Sequence, residues 1–370
     1  MKAKHFIAVL LGLSLNLFLV GPVALRSALR GTGDFWQFYI GAQLGHARYD
    51  FPAVMAKQRA LIDDARPSLV PSRLPFYYAV LWPLGQLSYP HARWIWMALM
   101  IGCGIAAVWL YPAKDRGSFA VALAFSPLLF SILAGQDVAL LCLILVGGFQ
   151  LWRRGYPFAA GSVLSLLALK FQLFLLLPAA FLLLGEFAVL RGAALGGSGL
   201  VLASFAAGGW NWPAAYLRLL RNPLVSRSID VMPNLHGLLA GHPAMETVLA
   251  LMVAALTIYA ARRRPEDAIP VTLIGSFLVG IHAFPADMVV LVPPLVSLYL
   301  TRNSWLALTC LTPVPALFCA LGYGGVAASL LAAALVREGF ASRRRPTSDC
   351  EDGLLDWHRR TVAPPGSDRK

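Results

Sequence analysis

Long apolar runs alternate with short polar stretches along nearly the whole chain up to residue 336. Many of these runs are long enough to cross a hydrocarbon core of about 30 Å as a helix. The pattern therefore predicts an all-α polytopic membrane protein with about twelve transmembrane helices. The predicted spans cover residues 6–25, 91–111, 118–134, 138–152, 157–169, 171–187, 193–209, 243–261, 268–284, 286–301, 304–321 and 323–336.

Composition supports one integral membrane domain over residues 1–336. Hydrophobic residues make up 58% of the 370 residues, charged residues make up only 13%, and the mean hydropathy is +0.66. A soluble globular domain has about 25% charged residues, so that class is excluded. Residues 337–370 carry both charge signs together with Pro, Ser and Gly, which predicts a disordered cytoplasmic tail.

The first apolar run follows Lys2 and Lys4 and therefore has the form of a secretory signal. It is about a full span long, however, and every later span also requires a membrane. We therefore predict that this run is retained as the first transmembrane helix and is not cleaved.

The positions of Lys and Arg predict the orientation, because short loops rich in these residues face the cytoplasm. With the N-terminus inside, the inner loops receive Lys114, Arg116, Arg153, Arg154, Arg191, Arg262, Arg263, Arg264, Arg302, Arg337 and Arg343 to Arg345. Both termini are then cytoplasmic. The predicted outer loops also hold basic residues, among them Arg48 and Arg73. Two interpretations of these stay open: tolerated loop charge, or a basic outer face that attracts anionic lipid or phosphate.

The first outer loop, residues 26–90, is predicted to be a folded cap with short helices at the membrane interface. The segments GDFWQFYIGAQLGHA and PAVMAKQRALIDDA each suit a short helix, while proline interrupts the following apolar segment, PFYYAVLWPLG. The aromatic residues Phe35, Trp36, Phe38 and Tyr39 have two open interpretations. They either anchor the loop at the interface or pack against a sugar or lipid ligand.

Under this topology a set of polar residues collects at the outer ends of the spans, and its members are Asp34, Arg73, Gln136, Asp137, Lys170, His236, His282 and Asp287. Ionisable groups in apolar segments indicate function by default, which favours a site on the outer face. Each residue also has a structural interpretation. Lys170 would snorkel, Gln136 and Asp137 would cap a helix, and the histidines would be hydrogen-bonded. Asp287 indicates either a site or an ion pair.

Other classes of site have little support in the sequence. The five cysteines show no CxxC spacing, which favours small core residues over a disulfide framework or a metal site. No glycine-rich nucleotide-binding pattern is present. The carboxylates form no compact cluster of oxygen ligands, so we predict no cofactor and no obligatory metal. We also expect no nucleic-acid partner.

The order of these segments resembles glycosyltransferase family 87, membrane enzymes of the GT-C superfamily, over most of residues 1–340. The resemblance rests on DFWQFYIGAQL with ARYD, on PFYYAVLWPLGQLSYP, on GQDVALLCLILVGGFQLWRRGYPFAAGSVLSLLALKFQLFLLLP and on HAFPADMVVLVPP. The chain departs from the family pattern at Asp137, Phe171 and Ala286, where members commonly have Asn, Pro and Tyr.

The resemblance implies a GT-C type helical bundle that moves a sugar from a polyprenyl-phosphate donor to a lipid or glycan acceptor. The sugar would be mannose or another hexose or pentose, and the reaction would occur on the outer, periplasmic face of the cytoplasmic membrane with inversion of the anomeric carbon. Asp34 would be the catalytic base. Residues that would bind donor or acceptor are Gln136, Lys170, His236, His282, Asp287 and Arg73. Of these, Lys170 with His282 or Arg73 would hold the phosphate charge.

Two other functions stay open at this stage. In a secondary transporter, Asp34, Lys170 and Asp287 would line a substrate or proton pathway, although no inverted repeat is evident and the charges collect at one face. In a non-catalytic GT-C scaffold, the fold would be kept without the chemistry. Replacing Asp34 with Asn would discriminate between them through lost sugar transfer, lost uptake or no effect.

Overall fold

The computed structural model describes residues 3–29, 33–62, 69–225 and 229–340, and this part of the chain is all-helical, without β-strands. The α-helices are α1 Ala3–Leu29, α2 Phe35–Gln43, α3 Phe51–Ile62, α4 Pro75–Gly85, α5 Tyr89–Leu110, α6 Arg116–Phe125, α7 Leu128–Ala134, α8 Val138–Arg153, α9 Pro157–Leu164, α10 Leu177–Leu183, α11 Phe187–Gly208, α12 Trp212–Leu220, α13 Leu235–Leu238, α14 Pro243–Arg263, α15 Ala268–Val279, α16 Val292–Arg302, α17 Trp305–Cys310, α18 Val314–Ala320 and α19 Gly324–Phe340. Short 3₁₀ helices cover Gly45–Tyr49, Ser165–Leu173, Pro265–Asp267 and Pro285–Leu291. The disordered tail was predicted over residues 337–370, but α19 continues to Phe340, so residues 337–340 are helical and that part of the prediction is wrong. Residues 341–370, including Cys350, lie outside the described residues.

Within the described residues, three helices are long and apolar enough to cross a membrane: α5, α11 and α14. A fourth span is added if α6 and α7, which meet at an angle of 57°, are taken as one broken span. The structure therefore agrees with a helical membrane protein, but the predicted number of about twelve spans is not confirmed. Several predicted spans are instead short or divided helices. Residues 304–321, for example, contain the two separate helices α17 and α18.

The short helices have a physical explanation in burial. Helix α15 has 12 residues and rises only about 18 Å, yet ten of its residues are buried. Irregular backbone and short helices are tolerated at membrane depth where protein surrounds them, because neighbouring elements satisfy the polar groups. A helix that faces lipid and a helix that packs inside the protein both have apolar sequences, so they have similar hydropathy. Hydropathy therefore cannot distinguish the two.

The first predicted outer loop is folded into the body of the protein. It contains α2, α3 and α4, and the α2 aromatics are almost completely buried, with Trp36 and Phe38 at 0% exposure. Phe38 packs edge to face on Tyr77 of α4, and Phe35 stacks on Trp96 of α5. Neither sequence-based interpretation of these aromatics is correct, because they form core contacts that hold the loop on α4 and α5.

Two arginines that the sequence placed on the outer surface are also buried. Arg48, which is 5% exposed, donates to the carbonyl oxygens of Pro75 at 2.9 Å and Ala207 at 3.2 Å, and its guanidinium lies over the Tyr78 ring. Arg73 is 4% exposed. Neither residue contributes to a basic outer face. Arg48 instead ties the first loop to α4 and α11.

The basic turn after α14 does more than indicate orientation. Arg264 is 2% exposed and lies 3.9 Å from Glu338 of α19, while Arg302 of α16 binds Asp267 at 2.7 Å and Glu266 at 2.8 Å. These ion pairs connect the ends of α14, α16 and α19. The sequence analysis used this turn only to predict orientation, whereas the structure shows that its charges also join three helices.

Candidate functional site

The site is built where the turn before α2 meets the turn between α7 and α8. The backbone N–H of Asp34 donates to the carbonyl oxygen of Ala134. A Cβ atom at Gly33 would lie 2.4 Å from that same oxygen, and one at Gly135 would lie 2.6 Å from the Cβ of Phe35. Gly135 also has a φ of +78°, a backbone conformation that residues with a side chain rarely adopt. Both glycines are therefore required for the contact that places Asp34 beside Gln136.

We expect Gly135→Ala to lower the free energy of unfolding by about 1–3 kcal/mol and to reduce activity, because it combines backbone strain with a clash against Phe35. Gly155→Ala is the matched control, since Gly155 has a φ of +83° but a Cβ atom added there would meet no described atom within 4 Å. Denaturant titration of both variants in detergent measures the difference. Equal losses in the two would show that the contact with Phe35 contributes nothing.

Asp34 lies at the edge of the site and is partly exposed. Gln136 donates from Nε2 to its Oδ2 at 2.7 Å, and Gln37, one helical turn along α2, approaches Oδ1 at 3.5 Å. Gln37 is in turn bound by the hydroxyl of Ser72 at 3.1 Å. The carboxylate is thus oriented by an amide while part of it stays accessible to a ligand.

Lys170 connects this edge to a buried carboxylate. Its ammonium donates to Oδ1 of Asp287 in a short contact and approaches Oε1 of Gln136 at 3.4 Å. The second oxygen of Asp287 accepts from the backbone N–H of Phe284 at 2.9 Å. Lys170 is 2% exposed and Asp287 is 0% exposed. Lys170 therefore forms a buried ion pair and does not snorkel, which agrees with one of the two interpretations of Asp287.

Lys170 owes its position to a break in the helical backbone. It has φ −138° and ψ 55° inside the 3₁₀ segment that follows α9. Helix α9 is fixed against α11 by close contact, since a Cβ at Gly161 would lie 1.9 Å from the Val189 carbonyl oxygen. Small residues permit such backbone approach between helices in membranes. The packing of α9 on α11 thus delivers Lys170 into the protein interior.

Arg73 and Asp137 form the third part of the network. The guanidinium donates from Nε and Nη2 to the two carboxylate oxygens at 2.8 and 2.9 Å, a bidentate pair. Asp137 occupies the N-cap position of α8 but makes no side-chain cap bond. Its interpretation as a helix cap is therefore wrong for the side chain. Oδ1 of Asp137 lies 4.0 Å from the Lys170 ammonium, which links the two ion pairs.

The network joins two cations and three carboxylates, and two of the carboxylates are each paired with a cation. Asp34 is the third, and it lies outside the candidate membrane spans. Burial raises the pKa of the Asp34 carboxyl above its ordinary range, while the hydrogen bond from Gln136 and the charges of Lys170 and Arg73 oppose that rise. A raised pKa brings a carboxylate closer to the basicity that proton abstraction requires.

The two predicted histidines are placed differently from the network. His236, in α13, contacts Glu246 at 2.9 Å and is about 29% exposed. His282 precedes the segment that carries Asp287, and its ring packs edge to face on Phe284 with centroids 4.7 Å apart. The structure therefore joins five of the seven predicted residues by described contacts: Asp34, Arg73, Gln136, Lys170 and Asp287. Sequence reasoning missed Gln37 and Ser72, although Gln37 is one helical turn from Asp34.

Among the described residues no group of three or more His, Cys, Asp or Glu side chains could hold a metal ion. The acidic groups of the network are instead opposed by Arg73 and Lys170. The prediction that no metal is required remains a prediction.

Comparison with known proteins adds one finding. The family model of glycosyltransferase family 87 matches residues 75–294, more than half of the chain. No match was found among curated proteins or among solved structures. The matched range includes Gln136, Lys170 and Asp287 but does not reach Asp34. Asp34 is connected to it by the hydrogen bond to Gln136.

Proposed function

Because the chain belongs to glycosyltransferase family 87, we propose that it transfers a sugar from a polyprenyl-phosphate donor to a lipid or glycan acceptor, with Asp34 as general base. The family indicates glycosyltransferase activity. The observation that carries the finer proposal is the partly exposed Asp34 carboxylate, which Gln136 orients at the edge of a buried charge network. A lipid-linked donor suits a helical membrane protein in which the sequence shows no nucleotide-binding loop.

The reaction is a single displacement. An acceptor hydroxyl oxygen attacks the anomeric carbon while Asp34 takes its proton. The bond from that carbon to the phosphate oxygen breaks on the opposite face, and the lipid phosphate leaves with the electron pair. One new glycosidic bond replaces one sugar phosphate bond, and the anomeric configuration inverts. The sugar would be mannose or another hexose or pentose, and the acceptor site would face the outer side of the cytoplasmic membrane.

Lys170 and Asp287 support this role as positioning residues. Gln136 contacts Lys170 through its carbonyl oxygen and Asp34 through its amide, so the ion pair fixes which end of the amide faces the base. Arg73 and Lys170 were also predicted to hold the phosphate. Their carboxylate partners offset much of their charge, so we assign them mainly to orientation. The roles of His236 and His282 in donor or acceptor binding remain predictions.

The test uses purified protein in lipid nanodiscs with radiolabelled polyprenyl-phosphate mannose and, in parallel, its glucose and arabinose analogues. A lipid extract from the host membrane supplies the acceptor, and a sugar nucleotide is the control donor. We expect label to move to a new lipid or glycan from a lipid-linked donor only. Transfer from the sugar nucleotide alone would overturn the donor class. No transfer by folded protein from any donor would favour the transporter or the scaffold.

The pH dependence of transfer is a further prediction. Asp34 acts as a base only when its carboxylate is ionised. Because its pKa is raised, acidifying the solution should abolish activity at a higher pH than it would with an ordinary aspartate. The folded state also binds this proton more tightly than the unfolded state does. The contribution of Asp34 to the free energy of unfolding therefore decreases as pH rises through the same range.

Both effects are measured from the pH profiles of the transfer rate and of the free energy of unfolding, for native protein and Asp34→Asn. Subtracting the profile of the variant removes the contributions of other titrating groups. An acid limb of the rate profile near the ordinary pKa of aspartate would contradict this prediction. The same conclusion would follow if the native and variant stability curves were parallel.

A further inference from the structure

Arg93, a largely buried arginine in the first turns of α5, was not among the predicted site residues. It is 8% exposed, its guanidinium nitrogens are not fully enclosed, and no carboxylate or hydrogen-bond acceptor of the described chain pairs with them. The other buried arginines of the described chain differ. Arg48 donates to backbone carbonyl oxygens, and Arg73 and Arg264 lie beside carboxylates.

The neighbours of Arg93 on its face of α5 pack against the turn that carries Asp34. Tyr89, Arg93 and Trp96 follow one another at helical spacing on one face. Phe35, the residue after Asp34, packs on both Tyr89 and Trp96, with ring centroids 6.0 and 5.5 Å apart. The indole N–H of Trp96 donates to the Gly135 carbonyl oxygen at 2.9 Å.

A cation whose side chain is largely buried loses part of its hydration, and an anion that reaches its accessible nitrogens compensates for that loss. The first turn of a long helix adds partial positive charge from its free N–H groups, which also favours an anion. A guanidinium matches the oxygens of a phosphate ester through several parallel hydrogen bonds. The Arg93 side chain thus has the chemistry of an anion site whose ligand comes from outside the protein.

We propose that Arg93 binds the phosphate of a lipid-linked donor and holds it as the leaving group. This inference rests on the proposed function, because it takes the donor class from it. The contacts distinguish the roles of the three cations. Lys170 is paired with Asp287 and Arg73 with Asp137, whereas no carboxylate of the described chain offsets the charge of Arg93. The base and the phosphate cation then lie on two elements, α2 and α5, that pack against each other.

The test measures binding of polyprenyl phosphate, the product that shares this group, to protein in nanodiscs of neutral lipid. The proteins are the native chain, Arg93→Gln, Arg93→Lys and the control His91→Gln, an exposed residue of the same helical turn. We expect Arg93→Gln to raise the dissociation constant by about 10- to 100-fold, as for loss of a charged hydrogen bond. Arg93→Lys should lose less, and His91→Gln should bind like the native chain.

Each alternative outcome is informative. Native binding by Arg93→Gln would overturn the role of Arg93 and leave the proposed function intact. Failure of the folded native chain to bind polyprenyl phosphate would overturn the donor class, and the role of Arg93 with it. Equal, Arg93-dependent binding of phosphatidylglycerol would assign the site to bulk lipid and overturn the donor assignment. A melting curve for each variant checks folding, and Arg93→Lys keeps the test valid if Arg93→Gln does not fold.

Discussion

Replacing Asp34 with Asn is expected to lower the rate of sugar transfer by about 10²- to 10⁴-fold while the protein stays folded, which is the usual contribution of a general base. The amide keeps the shape of the carboxyl group and can still contact Gln136, but it cannot accept the proton of the acceptor hydroxyl. Removal of a partly buried negative charge leaves Arg73 and Lys170 with their own partners. The loss should therefore appear in kcat, with little change in donor binding.

Asp50→Asn is the matched control for this experiment. Asp50 allows the same chemical change in the same loop, but its side chain is exposed, and among the described residues it accepts only from the backbone N–H of Ala53 at 3.1 Å. We expect near-native transfer from this variant. Native rates from Asp34→Asn would remove Asp34 from the mechanism. An equal loss in both variants would indicate a general effect on the loop and not proton transfer.

Replacing one partner of the Lys170 and Asp287 pair is expected to lower the free energy of unfolding by about 3–5 kcal/mol, because an uncompensated charge is left buried. Lys170→Met leaves the buried Asp287 carboxylate without its paired cation, and Asp287→Asn leaves the buried Lys170 ammonium without its paired carboxylate. The double variant Lys170→Met, Asp287→Leu removes both charges and should recover most of this loss, since an apolar pair of similar volume avoids the desolvation penalty. Denaturant titration in mild detergent measures all three.

The control is Lys57→Met, at a partly exposed position of α3. This substitution should change the free energy of unfolding by less than about 0.5 kcal/mol. A Lys170→Met variant as stable as Lys57→Met would show that the ion pair contributes nothing to folding. The recovered double variant should still transfer sugar slowly, because Gln136 loses the ammonium that orients it. Full activity in the double variant would remove that positioning role.

Helices and polar positions were predictable because each follows from local sequence. The apolar runs correctly indicated helices in a membrane protein, and the acidic and basic residues within them marked Lys170 and Asp287 as unusual. The number of spans was not predictable, because α15 is as apolar as a lipid-facing helix but is surrounded by protein. Phe35 and Trp36 were misjudged for a related reason, since an aromatic residue suits a core and an interface equally well.

The sequence by itself determined the chemical inventory: a helical membrane chain, one carboxylate after the first apolar run, and a few charges that hydrocarbon surroundings would penalise. Only the tertiary structure decided which charges are paired. Arg73 reaches Asp137 across 64 residues, Lys170 reaches Asp287 across 117, and Arg93 has no carboxylate partner among the described residues. Pairing depends on backbone approach at contacts such as Gly135 against Phe35, and the burial cost of each charge is set by neighbours that are distant in sequence.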